Sequence, residues 1–138
     1  MIHSTINLNT TGQGLYEFTD KIKNFVSKNF VGSSGLITLF VRHTSCSLII
    51  QENADRDVQL DLQDFFAKIA PENMPGLRHT CEGPDDMPAH IKAALNQVSI
   101  TIPIVEGTMV LGTWQGIYLF EHRSAPHQRM VTAMLTGS

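Results

Sequence analysis

Six histidines are spread through the 138 residues of this chain, and three of them close short, regular-looking segments. His43 ends the apolar run Leu36-Ile37-Thr38-Leu39-Phe40-Val41-Arg42, with Thr44, Ser45, Cys46 and Ser47 directly behind it. His122 ends the run Ile117-Tyr118-Leu119-Phe120-Glu121. His90 follows Gly83-Pro84-Asp85-Asp86-Met87-Pro88-Ala89, where Pro88 suits the first helical position and Asp86 or Met87 the cap. A hydrophobic strand that finishes in an imidazole is how a rigid scaffold presents a ligand or a proton carrier. Three neutral imidazoles with an open fourth position suit zinc or a similar divalent ion. The same imidazoles joined by Thr44, Ser45 and nearby backbone amides suit a phosphate.

The carboxylates divide by what else explains them. Asp55, Asp57 and Asp86 sit where helix capping and dipole compensation alone would place them. Asp61 falls at the margin of a helix's apolar face, where it can orient a histidine from behind. Cys46, beside His43 in a hydroxyl-rich stretch, raises a nucleophilic role.

The elements that must hold these side chains follow from periodicity. Residues 1–9 alternate as a strand, and Thr19 is a plausible cap for a helix carrying Ile22, Phe25, Val26 and Phe30, closed by Gly32. A second helix, capped by Asn53 or Asp55 and ended by Pro71, presents Val58, Leu62, Phe65, Phe66 and Ile69, with Leu60 on its polar side as a candidate subunit contact. Residues 72–85 read as loop, and a loop of that length is usually functional or mobile. A short helix from Pro88 to about Gln97 is expected to bury Met87, Ile91, Ala94, Leu95 and Val98, leaving His90 at the edge of that face.

Strands over 98–104, 108–112, 114–122 and 130–136 close the chain. In the strand from Trp114, the side chains of Trp114, Tyr118, Phe120 and His122 share one face, and those of Gln115, Ile117, Leu119 and Glu121 share the other. Seven or eight strands, three helices and consecutive strands joined by short turns give an α+β fold with mostly antiparallel sheets.

The chain has the length of one domain. A net charge of −3 and the lack of any basic run argue against a nucleic-acid partner. No apolar stretch is long enough to cross a bilayer, and the N-terminus lacks a signal-peptide layout, so no membrane partner is expected. Cys46 and Cys81 have no metal-type spacing and read as free thiols of a cytoplasmic protein.

Four motifs in order carry a resemblance. They are Arg42-His43-Thr44-Ser45-Cys46-Ser47, Gln51-Glu52-Asn53-Ala54-Asp55, Gly83 through Lys92, and Gly112-Thr113-Trp114-Gln115-Gly116 through Arg123. The chain closely resembles, over nearly its whole length, the YjbQ-like family, described as secondary thiamine-phosphate synthases. The resemblance implies layered β-sheets with helices against them, a homotrimer, and a phosphorylated small molecule as partner. It implies a weak synthase activity that joins a pyrimidine methyl diphosphate to a thiazole phosphate and expels pyrophosphate. Within its motifs His43, His90 and His122 become the expected metal ligands, for zinc, or magnesium with a diphosphate substrate. His3, His79 and His127 lie outside the motifs and read as surface or loop residues. Asp61, Asp86 and His122 are the expected catalytic groups. Thr44, Ser45, Lys92 and Arg123 are expected to meet phosphate, and Trp114 to give the pyrimidine a flat surface. Relatives commonly carry alanine at the Cys46 position, which weighs against a nucleophile there. The same pocket also suits a binding module that captures a phosphorylated metabolite without turnover, and the histidines also suit an oligomer interface.

Overall fold

The computed structural model describes residues 1–138, and its strands follow the alternation of the sequence. In β3 (Ser34–Val41) Ile37, Leu39 and Val41 point into the core while Leu36 and Phe40 face outward. In β7 (Gln115–Glu121) Ile117 and Leu119 join the same core, and Tyr118 and Phe120 lie on the other face, as the alternation predicts. The two strands that flank β3 add Ile100, Ile102 and Ile104 of β5 (Ser99–Val105) and Val131, Ala133 and Leu135 of β8 (His127–Gly137) to the same core. Burying each larger aliphatic side chain here stabilises the fold by about 1.5–3 kcal/mol.

Two antiparallel sheets enclose this core. The five-stranded sheet has the order β1-β8-β3-β5-β6, with β1 at Ile2–Thr10 and β6 at Thr108–Met109. The three-stranded sheet has the order β2-β7-β4, with β2 at Gly14–Glu17 and β4 at Cys46–Glu52. Gly35 of β3 pairs with Gly137 of β8, and a Cβ on either would run into the opposing backbone. Helix α1 (Thr19–Asn29) sends Ile22 and Val26 into the core beside β6 and β7. Thr19 starts this helix without capping it. Its hydroxyl donates to Glu17 at 2.7 Å and accepts the Ile117 amide at 2.8 Å, tying the helix to the central strand of the smaller sheet.

The other two helices lie against the outer face of the smaller sheet. Helix α2 (Arg56–Ile69) is capped by Asp55, whose carboxylate accepts the Asp57 amide at 2.9 Å, and it ends just before Pro71. It touches the sheet through Gln59, which donates to the Tyr118 hydroxyl at 3.0 Å, and through Phe66, edge-on to Phe120 at 5.4 Å. None of its residues is buried, and Phe65 is 55% exposed. Helix α3 (Asp86–Leu95) departs from the sequence expectation. It buries Asp86, Pro88, Ala89, Lys92 and Ala93, while Ala94, Leu95 and Val98 are exposed. The helix is thus turned so that Asp86 and Lys92 join Pro88, Ala89 and Ala93 on the buried face, Met87 and Ile91 are half-buried, and Ala94 and Leu95 face outward.

Candidate metal centre

The start of α3 and the loop before it bring four side chains to one point. Ligand atoms of His79, Glu82, Asp86 and His90 all lie within 4.8 Å of one another. Asp86 is the buried member, and both imidazoles address its Oδ2, His79 Nε2 at 2.7 Å and His90 Nε2 at 3.1 Å. Its Oδ1 receives Arg123 Nη1 at 2.8 Å. Burial pushes the Asp86 carboxyl up, but the hydrogen bonds from its neighbours, His79 first, outweigh this and hold it below the usual carboxylate range.

The geometry fixes the tautomer of His90. Its Nδ1 lies 2.7 Å from the Thr44 carbonyl oxygen, which only accepts, so Nδ1 carries the hydrogen. In the neutral ring Nε2 then holds a lone pair, and that lone pair faces a carboxylate oxygen. Two lone pairs at that distance need a proton or a cation between them. A histidine that donates one nitrogen to a backbone carbonyl and aims the other into a carboxylate cluster has the orientation of a metal ligand.

Arg123 holds the loop before α3 in place. Its Nε donates to Asp85 at 2.9 Å and its Nη2 to the Glu82 carbonyl at 3.0 Å, in addition to the Asp86 contact. The Asp85 carboxylate also accepts the Ser124 amide at 2.9 Å. Sequence reasoning assigned Arg123 to phosphate; the structure engages it with two carboxylates and a carbonyl.

Of the three histidines expected to converge, the structure brings only His90 to this cluster. His43 Nε2 accepts the Met130 amide at 2.9 Å, so the lone pair of its neutral ring is already used. Burial, aided by Arg129, lowers its basicity. His122 is 1% exposed and sits between Ser47, whose hydroxyl lies 2.9 Å from Nε2, and the Phe120 ring at 4.4 Å. Burial first, then the nearby Lys92 charge, pulls the His122 pKa down to about 3, so the ring is neutral. Its Nδ1 is the one fully buried side-chain nitrogen or oxygen without a partner.

The remaining expectations divide the same way. Thr44 contributes its carbonyl to His90 instead of a hydroxyl to a phosphate. Ser45 is buried, and its hydroxyl accepts Arg129 Nη2 at 2.9 Å. Arg129 in turn pairs with the buried Glu121, which also accepts the Thr10 hydroxyl at 2.6 Å. Asp61 is exposed on α2 and hydrogen-bonds to no histidine. Trp114 is 61% exposed and precedes β7, whereas Arg123 follows it. The strand separates them by roughly 25–30 Å, farther than one small metabolite reaches. Cys46 is buried and its thiol is pushed up to about 12 by that burial, so it is no nucleophile at neutral pH.

His79 and Glu82 were missed because a loop has no periodicity to mark them. A signal was present in the spacing His79, Glu82, Asp86, His90, at intervals of three, four and four, which runs into a helix start. A cleft of about 360 Å³ opens beside the cluster, lined by Glu72, His79, Gly83 and Pro88 among others.

The comparisons with known proteins agree with the fold. Residues 4–138 match the family described as "UPF0047 protein YjbQ-like". A UPF0047 protein of Synechocystis sp. is 55% identical over 128 residues, which cover 93% of this chain and 86% of the relative. The UPF0047 protein YjbQ of Salmonella typhimurium is 41% identical, with 96% of each chain covered. Among solved structures, a conserved hypothetical protein of Thermus thermophilus superposes with a TM-score of 0.85 at 34% identity, covering 96% of this chain and 99% of that one. A hypothetical protein of Aeropyrum pernix reaches a TM-score of 0.90 at 23% identity over the whole of both chains, a likeness of fold.

Proposed function

The chain belongs to the UPF0047 protein YjbQ-like family, and from its cluster we propose a divalent-metal enzyme of phosphorylated small molecules, with slow thiamine-phosphate synthase activity. The observation that carries this reading is the gathering of donor atoms from His79, Glu82, Asp86 and His90 within 4.8 Å of one another, with the His90 ring oriented by the Thr44 carbonyl. Two imidazoles and two carboxylates suit zinc, whereas magnesium prefers oxygen ligands alone. When bound, such an ion supplies Lewis acidity to phosphate oxygens. The chain's own residues do the rest. Asp86 and His90 are preset by Arg123 and Thr44, and the adjoining cleft receives the substrate. In the synthase reaction the thiazole nitrogen bonds to the pyrimidine methylene carbon as the carbon–oxygen bond to diphosphate breaks. The electron pair leaves on pyrophosphate, and no proton need move.

Two further proposals accompany this reading. A homotrimer is supported by the exposed apolar residues Phe65 and Ile69 of α2, Leu95 of α3 and Val98 just beyond it, which one copy leaves uncovered. A cytoplasmic location is supported by two free cysteines and by the lack of any helix long and apolar enough to cross a membrane. One observation favours a second reading, a binding module without turnover: Trp114 stands too far from the cluster to hold the pyrimidine in the same copy.

Metal content and turnover of untagged wild type, His79→Ala, His90→Ala and Asp86→Asn, each with its melting temperature, test the proposal. Loss of bound zinc together with loss of turnover is expected. Full metal content in all three variants would defeat it, and metal binding without synthase turnover would leave the binding-module reading.

A further inference from the structure

A second cavity opens beside α2, larger than the cleft at the metal cluster and lined by none of the cluster's residues. It encloses about 500 Å³ between the first two turns of α2 and the edge strand β2. Arg56, Gln59, Leu60 and Gln63 recur at helical spacing and share the face of α2 that meets this space. Three of the four are polar, and the helix buries none of its residues, so a polar gap is left where a helix ordinarily seals itself to a sheet. Gly14 of β2 faces Gln63 across it, and a Cβ there would come within 3.8 Å of Gln63 Nε2. Two motifs of the sequence meet at the rim. Asn53, from the 51–55 motif, donates through Nδ2 to Glu17 Oε2 at 3.1 Å over Gly116, from the 112–116 motif. A Cβ on Gly116 would lie 2.6 Å from that oxygen and 3.1 Å from the Asn53 amide nitrogen, so the glycine lets the pair close.

The carboxamides of this lining spend their N–H groups on the fold. Gln13 Nε2 donates to Ser124 Oγ at 3.2 Å and Gln59 Nε2 to the Tyr118 hydroxyl at 3.0 Å, while Asn53 donates to Glu17. Each keeps a carbonyl oxygen without a partner. Gln63 and Arg56 have no side-chain partner in the fold. No carboxylate, histidine or lysine lines the space. A divalent cation therefore finds no ligand set here, and an ammonium would meet Arg56 without a counter-charge. Hydroxyl groups fit, because each can donate to an amide oxygen and accept from an amide or guanidinium nitrogen. The Tyr16 ring, held by its hydroxyl donating to the Gly12 carbonyl at 2.7 Å, adds with Leu60 the apolar wall that the C–H face of a sugar needs. We infer that this cavity binds a monosaccharide-sized polyol with an anionic substituent. Gln13, Asn53, Gln59 and Gln63 hold its hydroxyls, and Arg56 takes the anionic group. The volume lies within the range of small-metabolite sites.

Heteronuclear NMR of isotope-labelled, chelator-treated protein tests this, with a panel of hexoses and pentoses, their phosphates and the matching uronates as probes. The side-chain amide signals of Asn53, Gln59 and Gln63 should move at roughly millimolar ligand. Sugar phosphates or uronates should bind about tenfold more tightly than their neutral parents. A panel in which no member moves any of these signals would refute the site. Gln63→Leu is the decisive variant, since Gln63 holds nothing within the fold and its loss should leave the melting temperature nearly unchanged. Its affinity for the best probe should fall roughly three- to tenfold. A folded Gln63→Leu variant that binds the panel as wild type does would overturn the inference. Arg56→Met should erase the preference for anionic sugars and spare the neutral ones; a preference that survives would remove Arg56 from the site. Affinity should be the same with and without zinc, so failure of the metal reading would leave this one standing. A requirement for zinc would place the sugar at the metal cluster and overturn it.

Discussion

Changing Asp86 to asparagine keeps the side chain's shape and removes its charge, which makes Asp86→Asn the sharpest probe of the cluster. The carboxylate meets His79 at 2.7 Å, His90 at 3.1 Å and Arg123 at 2.8 Å. Arg123 keeps Asp85 and the Glu82 carbonyl after the change, so the guanidinium is not stranded. The expected cost is therefore that of a lost charge-assisted hydrogen bond, about 1–3 kcal/mol. In a domain of this size that lowers the melting temperature by roughly 4–12 °C. The second effect is larger and specific. With zinc at a hundred times its dissociation constant, wild type gains about 2.7 kcal/mol, or roughly 10 °C. Losing one ligand weakens binding about a hundredfold or more, which leaves about 0.4 kcal/mol at the same zinc concentration, under roughly 2 °C. The assay is differential scanning fluorimetry of chelator-treated wild type and Asp86→Asn, with and without zinc. A variant that melts lower yet gains as much from zinc as wild type would show that Asp86 is a structural anchor and no ligand.

Three other expectations follow from the same contacts. The folded state keeps His122 neutral down to about 3, while the unfolded chain takes up this proton near the ordinary value of 6.5. The unfolded state therefore binds more protons between these values, and stability falls as pH drops through the window, with a slope approaching ~1.4 kcal/mol per pH unit. Denaturant titrations from pH 7 to 4 should show a shallower slope for His122→Asn, and identical slopes would refute the buried neutral ring. Ellman's reagent should titrate one thiol, Cys81, in native protein and two after unfolding, because burial raises the Cys46 thiol to about 12; rapid native reaction of both would contradict this. Phe65→Glu on α2 should shift sedimentation toward monomer, and a wild type that is monomeric across micromolar concentrations would remove the trimer proposal.

The sequence was informative wherever one chain buries its own apolar face. The two faces of β7 and the Asp55 cap of α2 stand as their residue patterns predict. It misled at α3, where the apolar stripe was assumed to be the buried one. The helix instead turns Asp86 and Lys92 inward beside Pro88, Ala89 and Ala93 and leaves Ala94 and Leu95 outside, a rotation about its axis that periodicity alone does not distinguish. The histidines failed for a related reason. Placement at the end of a strand says that a side chain reaches a rim, and says nothing about which rim. His43 turns to the Met130 backbone and His122 into the seam beside Ser47, so only His90 reaches the carboxylates. His79 lay in a loop, where no repeating pattern distinguishes a ligand from a bystander.

The four candidate ligands of the cluster come from a single short span, residues 79–90, and this bears on the order in which the chain folds. Closing so small a loop is fast compared with aligning two sheets of non-local strands. The segment is therefore able to gather around an ion while the sheets are still open. The clamp arrives later: Arg123 meets Asp85 across 38 residues and depends on β7 being seated. An ion captured early would be held loosely and then locked by the last large rearrangement. Refolding in zinc should speed the ordering of residues 79–90 without changing the slower docking of β7, so the rate of metal capture and the rate of folding become two separate clocks.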